Sequence, residues 1–258
     1  MAVPAAPEGL GGGETKTEEP SHAASTSGAP NAGVSAVSIA AHDLFMIYKR
    51  GSTETVALRG ASLEVRQGEF VSLMGPSGSG KSSLLSILAG LTTPSAGSVT
   101  VEGEDLGGLD EAGRARWRSE RLGLVFQRGN LIPFLTAAEN VTLVARRTVG
   151  RTQARERAKE LLDRLGLAGR ADHRPGRLSG GEAQRAGIAV ALANQPRLLL
   201  GDEVTGELDS ETSDQVMALL GEFRRERGLT MLLVTHNPAI AARADRRLAV
   251  SRGIVRPQ

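Results

Sequence analysis

The chain has 258 residues, of which 40% are hydrophobic and none is cysteine. This length allows one large domain or two small ones, and a chain without cysteine has neither a disulfide framework nor a thiolate metal site, which fits a cytosolic protein. The formal net charge is only +2, and the arginines are scattered among acidic residues, so we expect no nucleic-acid-binding surface.

Membrane insertion and secretion are also not predicted. No apolar run approaches the roughly 18 residues that a membrane helix needs. The opening MAVPAAPEGL has neither the basic nor the apolar part of a secretion signal. We therefore expect a protein that neither spans a membrane nor is exported.

The first 35 residues differ in composition from the rest of the chain, because they are mainly Gly, Ala, Pro, Ser, Thr and Glu. They carry too few large apolar side chains to offset the entropy of ordering, so residues 1–35 are predicted to be a disordered tail. From Val37 the pattern changes, and VSIAAHDLFMIY (37–48) and TVALRGASLEV (55–65) indicate two short strands with glycine turns between and after them.

Four later runs have the length and apolar character of buried strands, and each ends in polar residues or glycine. They are EFVSLMG (69–75), RLGLVFQ (121–127), RLLLGDE (197–203) and TMLLVTH (230–236). Helical segments are predicted between them, most clearly at 81–90, 151–165, 180–194 and 210–227. Alternation of buried strands and helices is typical of an α/β fold with a parallel core sheet.

The segment GPSGSGKS (75–82) follows the first buried strand and precedes a helix. It matches the P-loop pattern, in which glycines let backbone N–H groups surround phosphate oxygens at a helix start. Lys81 is expected to reach the β- and γ-phosphates, and the Ser82 hydroxyl to hold Mg²⁺. The alternative is a glycine-rich turn with a solvated lysine. The predicted nucleotide-binding residues here are Gly75, Pro76, Ser77, Gly78, Ser79, Gly80, Lys81, Ser82 and Ser83.

Polar residues at the ends of the other buried strands complete a candidate site. Asp202 is expected to bind Mg²⁺, and Glu203 to polarise an attacking water as a general base. Gln127 could orient water or ligate Mg²⁺, and His236 could bond the γ-phosphate. Carboxyl ends of parallel strands share one sheet edge, so these side chains should meet beside the P-loop. The alternatives are two solvated loop acids and two polar groups satisfied near strand ends.

These motifs, in this order, resemble the nucleotide-binding domain of ATP-binding-cassette (ABC) proteins over residues 36–258. The resemblance rests on Tyr48 as the aromatic that stacks on adenine, GPSGSGKS as Walker A, Gln127 as the Q-loop, LSGGE (178–182) as the signature, LLLGDE (198–203) as Walker B, GELD (206–209) as the D-loop and His236 as the switch histidine. RLGLVFQRGNLIPFLTAAENV and DRLGLAGRADHRPGRLSGGEAQR are similar to the lipoprotein-release, macrolide-export and cell-division-type branch.

The resemblance implies the P-loop NTPase fold of the ABC ATPase type, with a parallel core sheet, an antiparallel β subdomain and a helical subdomain at about 128–178. It also implies ATP and Mg²⁺ as cofactors, with Lys81, Gln127, Glu203 and His236 in catalysis and Ser82, Gln127 and Asp202 at the metal.

The signature LSGGE precedes an apolar helix and offers a second phosphate-binding helix start, made by Ser179, Gly180, Gly181 and Glu182. One nucleotide needs only one P-loop, and the resemblance implies that a second chain brings its signature to the γ-phosphate. The alternative is a plain helix cap, with Ser179 as N-cap and Glu182 three residues later.

Four positions depart from the usual family pattern. Val204 stands where proline is usual, Ser83 where threonine is usual, and Gly187 and Val190 where alanine and arginine are common. None removes a group assigned to the chemistry. Glycine inside a helix costs about 1 kcal/mol relative to alanine, so the substitutions could mark a slower or asymmetric site.

The implied function is an ATPase that drives a separate membrane permease of the exporter or lipid, lipoprotein or peptide type. Its expected partners are permease subunits and a second nucleotide-binding domain, in a homodimer or a heterodimer, at the cytoplasmic face of the membrane. Three alternatives stay open: signalling through a membrane partner to an extracytoplasmic enzyme, action on DNA or the ribosome, and a catalytically weak role in a heterodimer.

Overall fold

The computed structural model describes residues 36–51, 53–127 and 131–258. The predicted disordered tail (1–35) lies outside the described residues, as do residues 128–130 of the predicted helical subdomain. Within the described residues, no helix combines the length and the apolar character needed to cross a membrane.

Ten strands and seven α-helices make up the described part of the chain. The strands are β1 (Val37–Arg50), β2 (Thr53–Arg66), β3 (Phe70–Met74), β4 (Ala96–Val101), β5 (Glu104–Asp105), β6 (Leu122–Val125), β7 (Leu198–Asp202), β8 (Thr230–Val234), β9 (Arg246–Ser251) and β10 (Ile254–Pro257). The helices are α1 (Lys81–Leu88), α2 (Glu111–Arg121), α3 (Ala137–Ala145), α4 (Arg151–Arg164), α5 (Gly180–Leu192), α6 (Ser210–Arg227) and α7 (Pro238–Ala241).

The core sheet has the order β10-β9-β3-β8-β7-β6. All neighbours are parallel except β10, which pairs antiparallel with β9. The four strands predicted as buried and parallel, β3, β6, β7 and β8, lie side by side in it. The α/β prediction is therefore confirmed. Strands β9 and β10 were not predicted, because β9 begins with two arginines and only Leu248 and Val250 in it are buried.

The second sheet is antiparallel, in the order β2-β1-β4-β5. Strands β1 and β2 each have 14 residues, so they are longer than the two predicted short strands. The extra residues lie at the strand ends, where the polar pairs Lys49–Glu54 and Arg50–Thr53 continue the ladder toward the turn. Register irregularities occur inside the predicted spans, and Asp43 within one of them adopts a φ of 47°. Such bulges let a strand continue past residues that break its alternation. The predicted glycine turns are present at Gly51 and Gly68.

The four predicted helices are present as α1, α4, α5 and α6. Helix α2 was missed because Trp117 is its one buried residue, which leaves no apolar periodicity to detect. Helix α3 was missed although Thr136 and Glu139 form a capping box at its start. Together α3, α4 and the 3-10 turns at Ala168–Arg170 and Pro175–Arg177 occupy the segment predicted to be helical.

Two hydrophobic cores lie on opposite faces of the core sheet. The first core contains residues of α1 and the antiparallel sheet, together with Trp117 of α2. The second core contains residues of α3 to α6. Adjacent residues of β7 divide between them, because Leu198 and Leu200 join the first core and Leu199 joins the second. This alternation follows from the period of two in a strand. Polar residues after each strand are therefore left at the carboxyl edge of the sheet.

Candidate active site

A cleft of about 460 Å³ opens at the carboxyl edge of the core sheet. It brings together side chains from β1, the loop before α1, α1 itself and the ends of β6, β7 and β8. Its lining residues are Tyr48, Thr55, Val56, Ala57, Ser77, Gly78, Gly80, Lys81, Ser82, Ser83, Gln127, Asp202, Glu203 and His236. Every residue predicted for catalysis or metal binding lies here.

The loop before α1 depends on glycine at two positions. Gly75 has a φ of 156°, and a Cβ there would lie 2.2 Å from the carbonyl oxygen of Val250. Gly80 has a φ of 108°, and a Cβ there would lie 2.5 Å from the carbonyl oxygen of Ala57. Both the backbone conformation and the close approach of neighbouring backbone exclude larger residues. Gly75, Pro76 and Ser79 form the base of the loop and do not line the cleft.

Helix α1 begins at Lys81, with Gly80 as its N-cap residue. No side chain of the described residues caps this helix start, so its first N–H groups remain available to an anion. The Lys81 side chain is 8% exposed, and its Nζ donates hydrogen bonds of 2.8 Å to the carbonyl oxygens of Gly75 and Pro76. The Lys81 side chain thus folds back onto the loop that would bind a phosphate.

Two hydroxyl groups in the first turn of α1 make contacts across the cleft. The Ser82 hydroxyl donates to the Asp202 carboxylate at 3.1 Å. The Ser83 hydroxyl accepts a hydrogen bond from the Tyr48 hydroxyl at 3.2 Å. The Tyr48 ring is 45% exposed, which leaves a face free for stacking.

Glu203 has the most unusual backbone in the cleft, since its φ is 53° although it is not glycine. Such a conformation costs about 1–3 kcal/mol and persists only where neighbouring contacts hold it. Its N–H donates to the carbonyl of Val234 at 3.0 Å, and its carbonyl accepts from the Gly206 N–H at 2.9 Å. The carboxylate oxygen Oε1 is buried, lies 3.5 Å from Nε2 of His236, and has no hydrogen-bond partner in the part of the chain that the structure describes.

Gln127 lies two residues beyond β6 and is exposed at the margin of the cleft. Oxygen atoms from Gln127, Ser82 and Asp202 are of the kind that Mg²⁺ prefers. The buried, unpartnered oxygen of Glu203 and the uncapped start of α1 fit a site that receives a phosphate and a water molecule.

The sequence LSGGE forms the start of α5, outside this cleft. Ser179 is the N-cap: its hydroxyl accepts from the Glu182 N–H at 3.2 Å, and its own N–H donates to the Glu182 carboxylate at 2.9 Å. The Ser179 N–H, and then the Arg170 guanidinium at 2.9 Å, lower the pKa of Glu182 below its ordinary value. The helix cap considered from the sequence is thus present.

The glycines of this segment are closely packed against the loop after Walker B. A Cβ on Gly180 would lie 3.3 Å from Oε2 of Glu207, and a Cβ on Gly181 would lie 3.2 Å from the carbonyl oxygen of Glu207. The first N–H groups of a helix have no intrahelical acceptor, and the capping box uses only that of Glu182. The N–H groups of Gly180 and Gly181 therefore remain for a ligand at this exposed surface.

Sequence reasoning missed the residues of β2 that line the cleft, Thr55, Val56 and Ala57. Strand β2 pairs with β1 so that Thr55 lies opposite Tyr48. Counting the hairpin register outward from the turn at Gly51 would have placed Thr55 beside the predicted aromatic.

Comparison with known proteins gives consistent results. A family model described as "ABC transporter" matches residues 58–206. The lipoprotein-releasing system ATP-binding protein LolD of Paramagnetospirillum magneticum is 48% identical over 209 residues, which cover 81% of this chain and 92% of that protein. The macrolide export ATP-binding/permease protein MacB of Syntrophobacter fumaroxidans is 42% identical over 219 residues, which cover 84% of this chain and 31% of that protein.

Among solved structures, the fold is similar to that of the ATP-binding cassette MJ0796 in a dimeric post-hydrolysis state bound to ADP and Pi. The TM-score is 0.82 at 38% sequence identity, with 85% of this chain and 97% of that chain covered. A second dimeric structure of the same cassette has a TM-score of 0.81 at 40% identity, with 84% and 96% covered. The family, the ABC ATPase fold and the branch expected from the sequence are confirmed.

Proposed function

The chain belongs to the ABC transporter family as an ATP-binding and ATP-hydrolysing subunit, and we propose that it closes as a dimer on ATP to drive a separate membrane permease of the exporter or lipid, lipoprotein or peptide type. The observation that carries the proposal is the separation of two candidate phosphate sites. The cleft beside α1 contains the P-loop and the acids, and the start of α5 lies outside it.

Nucleotide binding is assigned to the P-loop and to Tyr48. The N–H groups at the start of α1 and the Lys81 ammonium would hold the phosphates, with Lys81 exchanging its two carbonyl acceptors for phosphate oxygens. Tyr48 would stack on adenine, and its hydrogen bond to Ser83 fixes the ring near the loop. A bound Mg²⁺, held by Ser82, Gln127 and Asp202, would neutralise charge on the β- and γ-phosphates.

Hydrolysis is assigned to the buried carboxylate of Glu203. Its Oε1 is free to accept a proton from a water molecule that attacks the γ-phosphate. His236, 3.5 Å from that oxygen, would donate to the γ-phosphate, and Gln127 would orient the water. These three residues would act with Lys81, which stabilises charge on the phosphate.

Dimer formation is assigned to the start of α5, where Ser179, Gly180 and Gly181 would cap the γ-phosphate held by a partner chain, with Glu182 fixing the Ser179 N–H. Helix dipole and free N–H groups favour an anion there. The similar cassette structures are dimeric, which supports a second chain of this kind. Both a homodimer and a heterodimer satisfy this arrangement, and the substitutions at Val204, Gly187 and Val190 suit a heterodimer with unequal sites.

Permease docking is assigned to the helical subdomain within a domain spanning residues 36–258. A concavity of about 790 Å³ lies between α3 and α4, and a second, of about 500 Å³, lies between α2, β6, α3 and α5. Leu143 lines both concavities and is 46% exposed. An exposed leucine at this concavity supports docking of an apolar helix of a membrane subunit, and with such a partner the protein would act at the cytoplasmic face of the membrane.

The experiment isolates the tagged full-length protein from detergent-solubilised membranes of its source cells and identifies bound integral membrane proteins by mass spectrometry. We expect one multi-span permease that also stimulates ATP hydrolysis. Leu143→Glu should abolish its recovery, and Phe45→Glu, an equally drastic change at a residue 40% exposed on β1, should not. Equal recovery of the permease with both variants would contradict the docking site. A membrane partner that responds to ATP without moving a solute would favour the signalling alternative.

A further inference from the structure

Gln184 connects the helix that begins with the signature to the loop that carries Glu203. Its side chain is buried in α5, with 2% exposed, and its Nε2 donates a 3.1 Å hydrogen bond to the carbonyl oxygen of Val204. Val204 is the residue directly after Glu203. A buried carbonyl without a partner is costly, so this contact fixes where the loop runs.

The loop needs such contacts because Glu203 has a left-handed backbone, with φ at 53°. A strained residue keeps its conformation only when its surroundings over-determine it. Two of the holding contacts are backbone hydrogen bonds, to Val234 and from Gly206. The contact from Gln184 is made by a side chain, and it can therefore be removed by substitution.

Val204 makes the loop more dependent on its neighbours. Proline at this position would restrict its own backbone angle, and valine has no ring to do so. The Val204 side chain is instead held by packing: it is 3% exposed, and its Cγ2 lies 2.2 Å from the position that a Cβ on Gly201 would take. The absence of a side chain at Gly201 is what admits the valine.

We propose that Gln184 is a positioning residue for hydrolysis, which holds the Val204 carbonyl and thereby keeps the Glu203 carboxylate in place. The inference rests on the proposed function, in which Glu203 is the general base. Within one chain, the nucleotide-binding contacts are assigned to α1, its preceding loop and β1, whereas the contact at the start of α5 is made to the nucleotide of a partner chain. Loss of the Gln184 contact should therefore slow the chemical step and leave ATP affinity unchanged.

The test substitution is Gln184→Met, which keeps a long unbranched side chain and removes the donor. Its matched control is Asn194→Leu, because Asn194 is also a buried amide, 4% exposed, which donates to the carbonyls of Ser119 and Leu122 outside the cleft. Both variants should melt at a lower temperature. Below that temperature, Gln184→Met should lower kcat about tenfold with an unchanged ATP Kd, and Asn194→Leu should change neither value. Equal kcat values for the two variants would overturn the proposal.

A double-substitution cycle distinguishes action through Glu203 from an independent effect. Residues that act as a unit show strongly non-additive effects. In a Glu203→Gln background, Gln184→Met should cause no further loss in the single-turnover rate, because the base that it positions is already gone. A full further tenfold loss would overturn the proposal while leaving Glu203 as the base. If Glu203→Gln alone keeps the parental rate, the proposed function fails instead.

Gly201→Ala offers a second route if Gln184→Met does not fold. The added Cβ on β7 displaces the Val204 side chain, whereas Gln184 holds the Val204 carbonyl from α5. We therefore expect kcat to fall with ATP affinity unchanged. Adding Val204→Ala removes the clashing Cγ2 and retains the carbonyl that Gln184 binds. The remaining close neighbour of the new Cβ is Cδ2 of Leu233, at 2.8 Å, which is the end of a side chain that can shift, so most of the rate should return. A parental rate in Gly201→Ala, or no recovery in the double variant, would contradict the claim that the position of Val204 governs hydrolysis.

Discussion

The Ser82 hydroxyl donates a 3.1 Å hydrogen bond to the Asp202 carboxylate, although 120 residues separate the two in the sequence. Ser82 lies in the first turn of α1, and Asp202 ends β7. Two of the three proposed metal ligands are therefore already adjacent. The contact arises because the helix that follows β3 begins at the same sheet edge at which β7 ends.

Replacement of Lys81 by alanine should weaken nucleotide binding and turnover about ten- to a hundredfold. The reason is the loss of a charge-assisted contact worth roughly 1.5–3 kcal/mol. Isothermal titration with ATP and a phosphate-release assay measure both effects. Lys49→Ala is the control, because Lys49 pairs with Glu54 at an exposed surface, and it should behave as the parent. Unchanged binding and hydrolysis in Lys81→Ala would contradict the P-loop assignment.

Tyr48 should contribute through its ring more than through its hydroxyl. Stacking of a base on an aromatic side chain is worth about 1–3 kcal/mol, so Tyr48→Ala should weaken ATP binding by roughly five- to a hundredfold. Tyr48→Phe removes only the hydrogen bond to Ser83 and should stay within about threefold of the parent, since an exposed neutral hydrogen bond contributes little. Equal losses of ATP affinity in the two variants, measured by titration, would rule out stacking as the main contribution of Tyr48 to ATP binding.

Glu207 should oppose dimer closure. Its carboxylate lies beside Gly180, at the surface proposed to meet the partner's γ-phosphate. Two like charges about 5 Å apart in water repel by roughly 0.8 kcal/mol, so Glu207→Gln should tighten ATP-driven dimerisation about fourfold for each of the two sites from which it removes the charge. Sedimentation at low and high salt measures this, and the gain should shrink as salt screens the repulsion. A gain that is independent of salt would indicate a cause other than charge.

Glu182 should give the helix cap of α5 a dependence on pH. Its pKa is lowered from the ordinary 4.5, first by the Ser179 N–H and then by Arg170. A depressed folded-state pKa stabilises the fold above the ordinary value, and this stabilisation is lost as pH falls through the folded-state value. Glu182→Gln, which can still cap, should therefore lower Tm at pH 7, and thermal melting should show a smaller difference at a pH below 4.5, where the folded-state carboxylate becomes protonated. The same Tm difference at both pH values would argue against the ion pair.

The sequence was sufficient to predict the parts of the fold that have continuous apolar runs. The run 197–203 contains a buried strand and ends with the two acids, so a single pattern predicted both the strand and the place of the acids in the cleft. Helix α2 was not predictable from periodicity, because it buries only Trp117. Strand β9 begins with Arg246 and Arg247, and its exposed charges hide the alternation.

Contacts between distant segments account for most of what the sequence could not predict in the site. The sequence shows that valine stands at position 204 where proline is usual. The packing of Val204 on Gly201 and the hydrogen bond from Gln184 depend instead on how α5 lies against β7. The position of the Glu207 carboxylate beside Gly180 likewise depends on how the loop after β7 is placed. Local patterns predict which residues form each element, and packing determines which side chains touch.

The most direct test of the central claim is ATP-driven dimerisation of Glu203→Gln, measured by light scattering during size exclusion. This change removes the proposed base and keeps the size of the side chain, so ATP should bind while the chemical step slows by roughly 10²- to 10⁴-fold. On addition of ATP and Mg²⁺ we expect a dimer. Adding Ser179→Arg should return it to a monomer that still binds ATP, and adding Gly150→Arg, an arginine at the exposed start of α4, should leave the dimer intact. A dimer that persists with Ser179→Arg would contradict the account, because the start of α5 would then be a helix cap and nothing more.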